Sequence, residues 1–282
     1  MLIALDSGVS ALDQFQQELN IIGNNIANVD TVGFKGASIN FADAFSQTLG
    51  SNASGSMQIG TGVLTGSITN QFTQGSITGT AVRSDMAING NGFFLVKDPV
   101  SGAQYATRDG QFSVDTNGYL VTSNGMRVQG YTDSGLTTLG DVKIDGTGAT
   151  MIDPVSGLPV PDNSAVQDYS FGSDGKLTVL LADGTQFTRG QVLLQNFTNP
   201  QQLMKVGNNL FSGLTLAGPL AAPTAPGSNG LGSLANSALE MSNVDLAGQL
   251  TSLITTQRAY EANTKVITTS DEILQTLVNL KR

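Results

Sequence analysis

The stretch Leu5–Val29, LDSGVSALDQFQQELNIIGNNIANV, carries its apolar residues in two interlocked rows. Leu5, Leu12, Leu19 and Ile26 recur every seven positions, and Phe15, Ile22 and Val29 form a second row three positions on. Two such rows are the a/d seam of a coiled-coil-like helix. Gly8 and Gly23 interrupt the pattern, each at a cost of ~1 kcal/mol relative to Ala. The spacing predicts a helix that is weak alone and needs a partner.

The other end of the chain repeats the pattern. Leu246, Leu253, Tyr260, Ile267 and Leu274 keep a seven-residue spacing, beside a neighbouring row of Val266, Ile273 and Leu280. Ser242 or Asn243 is the expected cap, with Asp245 in the first turn where a helix dipole favours an acid. All eight prolines fall between Pro99 and Pro226, so both ends are free of helix breakers. Two readings fit these stripes: the ends pair within one chain, or they present surface to other chains. Leu5–Val29 has no Lys or Arg, whereas the C-terminal segment carries Arg258, Lys265, Lys281 and Arg282.

Between the stripes the pattern changes to short β-rich runs: Ala87–Val96, Gln111–Asp115, Tyr119–Thr122, Arg127–Tyr131, Leu177–Leu181 and Gln191–Phe197. Asn91-Gly92, Asn117-Gly118, Asn124-Gly125, Asp174-Gly175 and Asp183-Gly184 punctuate them, and such pairs supply the positive φ of tight hairpins. Phe112–Leu120 is echoed by Tyr169–Leu177, which predicts two similar hairpins and not a solenoid. Ser46–Gly60 and Ala217–Gly232 are rich in small, polar or breaking residues and read as linkers or extended arms. The predicted fold class is α+β, with terminal helices packed together and a mainly antiparallel β body between them. In boundaries, 1–30 and 240–282 form the helical core and 31–75 and 215–239 extended arms. The β domain spans 76–214, with a short insertion near 132–167.

Composition narrows the chemistry. The 282 residues carry 22 acidic and 13 basic side chains, a net charge of −9, and no His, Cys or Trp. Thiolate zinc, haem, iron–sulfur and Ser-His-Asp chemistry therefore lack their residues. Too few cations are present for phosphate neutralisation, so nucleic acid is not an expected partner. No run approaches the ~18 apolar residues of a membrane span, and Asp6 ends the apolar N-terminus too early for a cleavable signal.

The remaining motifs are weak. Gly60-Thr61-Gly62 lacks a third glycine at nucleotide-loop spacing and a strand–helix setting. Asp115–Gly118 and Asp141–Gly148 resemble calcium loops but lack the closing bidentate Glu, and hairpin turns account for them. Paired carboxylates are the one enzymatic option left, without the aromatic platforms of a sugar cleft. A carbohydrate-binding β protein is the rival from another class. No catalytic residue, metal or cofactor is expected.

Asn24–Lys35, NNIANVDTVGFK, adds specificity. Asn28 to Gly33 can end the first helix, because Asn and Gly tolerate the left-handed C-cap, and Phe34 can anchor the chain beyond it. This segment resembles the N-terminal signature of bacterial flagellar rod and hook proteins. The resemblance continues through Asn40-Phe41, Phe45–Leu49, Phe72–Ser76, Asp85–Phe94, Asn199-Pro200, Val206–Phe211, Glu240–Leu246, Gln257–Tyr260 and Asp271–Arg282. Gly23–Asn28, Arg127–Tyr131 and Leu277–Arg282 are worded like a hook protein, which is the favoured member. The length fits a rod protein better, since 132–167 is too short for a hook's outer domain.

The resemblance implies an axial structural subunit, exported by the flagellar type III apparatus to the basal body and hook. Its implied partners are copies of itself in a helical tube and other axial proteins: rod, hook cap and hook–filament junction. Nucleic acid and membrane insertion are not implied. It also implies that subunit contacts fall on Leu5, Leu12, Phe15, Leu19, Ile22, Asn24, Asn25, Ile26, Asn28, Phe34, Leu246, Leu253, Tyr260, Ile267 and Leu274.

Overall fold

A computed structural model describes residues 2–52, 55–148, 150–152, 159–161, 165–220 and 222–280. The chain divides into two compact units, Met1–Val29 with Lys35–Phe72 and Val244–Arg282, and Asp30–Phe34 with Thr73–Asn243.

The first unit is built on helices α1 (Leu2–Ala27) and α2 (Leu246–Leu280), which pack together as the terminal stripes predict. A Cβ on Gly8 would meet Ile267 Cγ1 at 3.1 Å, and Asn25 reaches Gln249 at the opposite end of the pair. The helices therefore run antiparallel. The glycine that weakens α1 is the one that admits Ile267. Asp245 caps α2, its Oδ1 accepting the Ala247 N–H at 3.1 Å. The expected cap was Ser242 or Asn243; Asn243 instead donates to the Thr73 hydroxyl at 2.8 Å. Asp245 wins because it sits directly before the first helical residue, within reach of the second free N–H.

Ala37–Asp43 and Val63–Asn70 form an antiparallel ladder in the same unit, and Ser46–Asn52 pairs with Gly55–Gly60. Composition leaves Ser46–Gly60 open as a linker or an extended arm, and its described strands are extended and paired with each other. Residues 53 and 54 of that stretch lie outside the described residues. The ladder packs on α1 through Phe15 against Phe41, edge to face with centroids 6.2 Å apart. Thr65 adds hydroxyl contacts to Gln14 and Gln17. At Gly62, with φ of +137°, a Cβ would strike Ser10 Oγ; the bend from Gly55–Gly60 into Val63–Asn70, pressed against α1, requires glycine there.

The second unit is an antiparallel β body, as the turn pairs predict. The path across its main sheet begins with Val166–Phe171, Lys176–Leu181, Gln186–Val192 and Arg127–Tyr131. It continues through Phe93–Lys97, Gln104–Thr107 and Leu210–Ser212 to Met204–Gly207. One core joins Met86, Ile88, Phe94, Phe112, Leu120, Val128, Leu177, Val179, Leu181 and Leu194. Burying each such side chain stabilises the fold by ~1.5–3 kcal/mol. The two echoed segments close on equivalent turns, Gly118 N–H to Asp115 O and Gly175 N–H to Gly172 O, each 2.8 Å.

Ala217–Gly232, left open by its composition in the same way, is also paired. Leu194 and Thr224 exchange both backbone hydrogen bonds, at 2.9 and 3.0 Å, and Gly232 N–H donates to Asn91 O at 2.7 Å. Ala217 and Leu231 are buried. Ser233–Asn236 and Ala238–Glu240 then pair with Met86–Asn89 and Ile77–Gly79. Backbone pairing with neighbours, which composition does not report, fastens this stretch to the β unit. Within the expected insertion at 132–167, Thr150–Ile152 pairs with Pro159–Pro161. Residues 149, 153–158 and 162–164 lie outside the described residues.

Candidate assembly surface

Apolar residues that a single chain leaves uncovered mark the candidate site. On α2, Leu246, Leu250 and Ile254 are exposed at positions i, i+4 and i+8. Val266, Ile273, Leu277 and Leu280 are exposed at i, i+7, i+11 and i+14, and Val278 beside them is 66% exposed. Each set follows one face of a helix. The fully buried positions on α2 are the polar Thr256 and Ser270. Its most buried positions are thus small and polar, Leu253, Ile267 and Leu274 are half-buried beside them, and much of its remaining apolar surface looks outward. The hydroxyls on this helix bond to their own helix, as Ser270 Oγ does to Val266 O at 2.7 Å, which lets polar residues sit in the seam.

The register carries this further. With Gly8 beside Ile267 and Asn25 beside Gln249, Leu2 lies level with about residue 273, and the last two turns of α2 extend ~10 Å beyond it at 1.5 Å per residue. The ladder adds exposed Phe41, Leu64 and Ile68 to the same unit. Apolar rows that a chain leaves uncovered in this way signal an interaction site.

The interface residues implied by the resemblance fall into three groups. Leu5, Leu12, Phe15, Leu19, Ile26 and Asn28 on or just after α1, with Leu253, Ile267 and Leu274 on α2, are half-buried. They meet in or beside the helix pair. Asn24, Leu246 and Tyr260 are exposed. Ile22 and Asn25 are buried within the chain, and Asn25 is already committed. Its amide donates to Ala37 O at 2.8 Å and to Gln249 Oε1 at 3.1 Å, while its Oδ1 accepts the Ala37 N–H at 3.0 Å. This side chain ties α1 to the ladder and to α2. Asn28 caps its own helix through Nδ2 to Asn24 O at 2.9 Å.

Phe34 belongs to the β unit. It is 7% exposed, with Lys205 Nζ 4.6 Å from its ring centre. The Asn209 amide holds Val32 O at 2.6 Å, and Gly33 N–H donates to Glu240 O at 2.7 Å. Gly33 has φ of +68°, and a Cβ there would lie 2.6 Å from Asp109 N. Only glycine fits. Ile22, Asn25 and Phe34 therefore anchor the chain internally instead of offering free surface.

Sequence reasoning passed over Leu250, Ile254, Leu277 and Val278. The row Val266, Ile273 and Leu280 was visible in its seven-residue spacing; the first patch keeps a four-residue spacing that a heptad search does not collect.

The acids of the β unit serve as turn and ion-pair partners. Asp141 meets Arg127 at 2.9 Å, Lys143 meets Asp145 at 3.0 Å, and Asp174 meets Lys176 at 3.0 Å. Hydrogen bonds from Thr137 and Thr138 hold the Asp133 carboxyl at a pKa of about 2. Burial, with Asp85 nearby, raises that of Asp109. Among the described residues no group of three His, Cys, Asp or Glu is placed to hold a metal, and no helix is long and apolar enough to cross a membrane.

Comparison with known proteins agrees with the fold. Residues 5–35 match a family described as flagella basal body rod protein, and 87–179 match the flagellar hook protein FlgE/F/G D1 domain. Residues 235–280 match the flagellar basal body rod FlgEFG protein C-terminal family. The chain is 40% identical over 290 residues to the flagellar basal-body rod protein FlgG of Bacillus subtilis, covering all of both chains. It is 38% identical over 287 residues to that of Buchnera aphidicola, covering 98% and 99%. The flagellar hook protein FlgE of Escherichia coli is 27% identical over 413 aligned positions, with 99% of this chain and all of that protein covered.

The chain belongs to the flagellar hook and basal-body rod protein family: it is an axial structural protein of the flagellar basal-body rod, and not an enzyme. The hook preference drawn from local wording is not upheld: the rod proteins are 40% and 38% identical to this chain over their full length, against 27% for the hook protein. Of the hook-like segments, Arg127–Tyr131 lies in the packed β unit. Val128 is buried, and Gly130 lies against Gln191 O.

Proposed function

We propose that this chain is a distal rod subunit, polymerising with copies of itself into a stiff tube that carries motor torque toward the hook. The observation that carries the reading is end-to-end likeness to rod proteins of the same length. The helical unit, built on α1 and α2, forms the inner wall, where the exposed rows of α2 and the ladder's apolar residues meet neighbouring subunits. The β unit forms the outer layer. Neighbouring axial proteins cap the two ends of the polymer, and the flagellar type III apparatus exports the subunit.

Basal bodies purified from a strain lacking this gene test the assignment. Shortened rods that carry no hook are the expected result. Complete rods that end without hooks would make the chain a hook protein, and intact rods with normal hooks would exclude both.

A further inference from the structure

The β unit contains a buried ion pair that no catalytic or binding role explains. Glu240 is 0% exposed and Arg108 is 4% exposed, with Nη1 to Oε2 at 3.2 Å. Burying two charges costs several kcal/mol per ion before their attraction repays it, so the pair's value lies in what it holds. Glu240 Oε1 accepts the Gly75 N–H at 2.9 Å, and its backbone carbonyl accepts Gly33 N–H at 2.7 Å. Arg108 adds Nη2 to Gly90 O at 3.0 Å and stands 5.1 Å from the centre of the Phe93 ring. Met241 N–H donates to Ser76 O at 2.8 Å.

One side chain and its own carbonyl thus gather three chain segments, 30–34, 73–76 and 238–241. Each of them continues directly into the helical unit in sequence. Close packing leaves them no slack: a Cβ on Gly75 would overlap Met241 O, and one on Gly33 would overlap Arg108 and Asp109 backbone.

We propose that Glu240 is a positioning residue, a charged joint that locks the chain segments leading into the helical unit, separate from the core that stabilises the β sheet. In an axial subunit these segments are the covalent route along which force passes between the units, a consequence that rests on the rod reading. The joint itself can be tested without it.

The test is residue-resolved amide exchange on the full-length chain. A Gln at 240 has one acceptor oxygen and cannot serve both Gly75 N–H and the Arg108 guanidinium, so Glu240→Gln leaves a buried donor unmet. Exchange at Gly33, Gly75 and Met241 is expected to accelerate about tenfold or more, while Phe93–Lys97 and Lys176–Leu181 keep their protection. The pair Arg108→Met with Glu240→Leu removes both charges and regains most of the melting temperature lost by Glu240→Gln, short of the unmet Gly75 N–H. It still exchanges fast at Gly75, which has lost its acceptor. Unchanged exchange at the three amides, an equal rise throughout the sheet, or a double variant that restores both properties would overturn the proposal. None of these outcomes bears on rod against hook, which the deletion strain decides.

Discussion

The strand Lys176–Leu181 and the last turns of α2 are both rich in aliphatic residues, and they place them oppositely. The strand buries Leu177, Val179 and Leu181 in a core made by its own chain. The helix leaves Ile273, Leu277, Val278 and Leu280 exposed, the last at 82%, and buries Thr256 and Ser270. The β unit closes a core within one chain, with Val100, Leu216 and Leu220 left exposed outside it. The helical unit has only part of its apolar surface covered, so its stability and its assembly depend on different residues. The inward-facing Leu253 belongs to the first kind of position and Ile273 to the second. A charge at Leu253 would damage the helix pair and assembly together, which makes Ile273 the cleaner probe.

The largest expected effect lies in the β core. Phe94 is fully buried and stands edge to face on Phe112, centroids 5.1 Å apart. Phe94→Ala should cost about 3–5 kcal/mol in chemical unfolding of the β unit. A loss under about 1 kcal/mol would erase the contrast between the units. Next comes Gly33→Ala, which combines a positive φ with backbone overlap. It should cost about 2–4 kcal/mol in the same measurement, and a neutral result would mean that the 30–34 segment is not held as described.

A smaller effect sharpens the electrostatics of the β unit. Asp109 has a folded pKa above its unfolded value because burial and Asp85 disfavour its charge. The folded state then holds the proton more tightly, so this group's contribution is favourable below its unfolded pKa and is lost as pH rises through the folded one. Asp109→Asn should raise stability at pH 7 by under about 1 kcal/mol, with the gain vanishing near pH 3. Asp98, Asp115, Asp133, Asp141, Asp145 and Asp174 are shifted down by their partners. Their contribution is present above the unfolded carboxylate range and is lost as pH falls through the folded values. Acid titration of the wild-type protein should therefore weaken the β unit overall, and stability that increased steadily down to pH 2 would contradict this.

Period and punctuation made much of this architecture legible. The seven-residue rows located both helices, and the Asn-Gly and Asp-Gly pairs located hairpin turns, because each is a local constraint written in adjacent residues. The roles of Asn25 and Glu240 were not legible. Asn25 bonds Gln249, and Glu240 bonds Arg108 and Gly75, across more than a hundred residues of sequence. Nothing local distinguishes such a side chain from a solvated one. The pairing of Ala217–Gly232 was not legible for a related reason: composition left linker and extended arm open, and the partners of its backbone groups lie elsewhere in the chain.

The central claim is that α2 displays its apolar surface for other copies of this chain. Ile273→Asp is the most direct test, with electron microscopy of basal bodies from cells making only that variant and export checked by assaying the secreted protein. The purified variant should unfold within about 0.5 kcal/mol of wild type, as for an exposed position, and should be secreted yet build no rod beyond the point where this subunit begins. Full-length rods assembled from Ile273→Asp subunits would contradict the account.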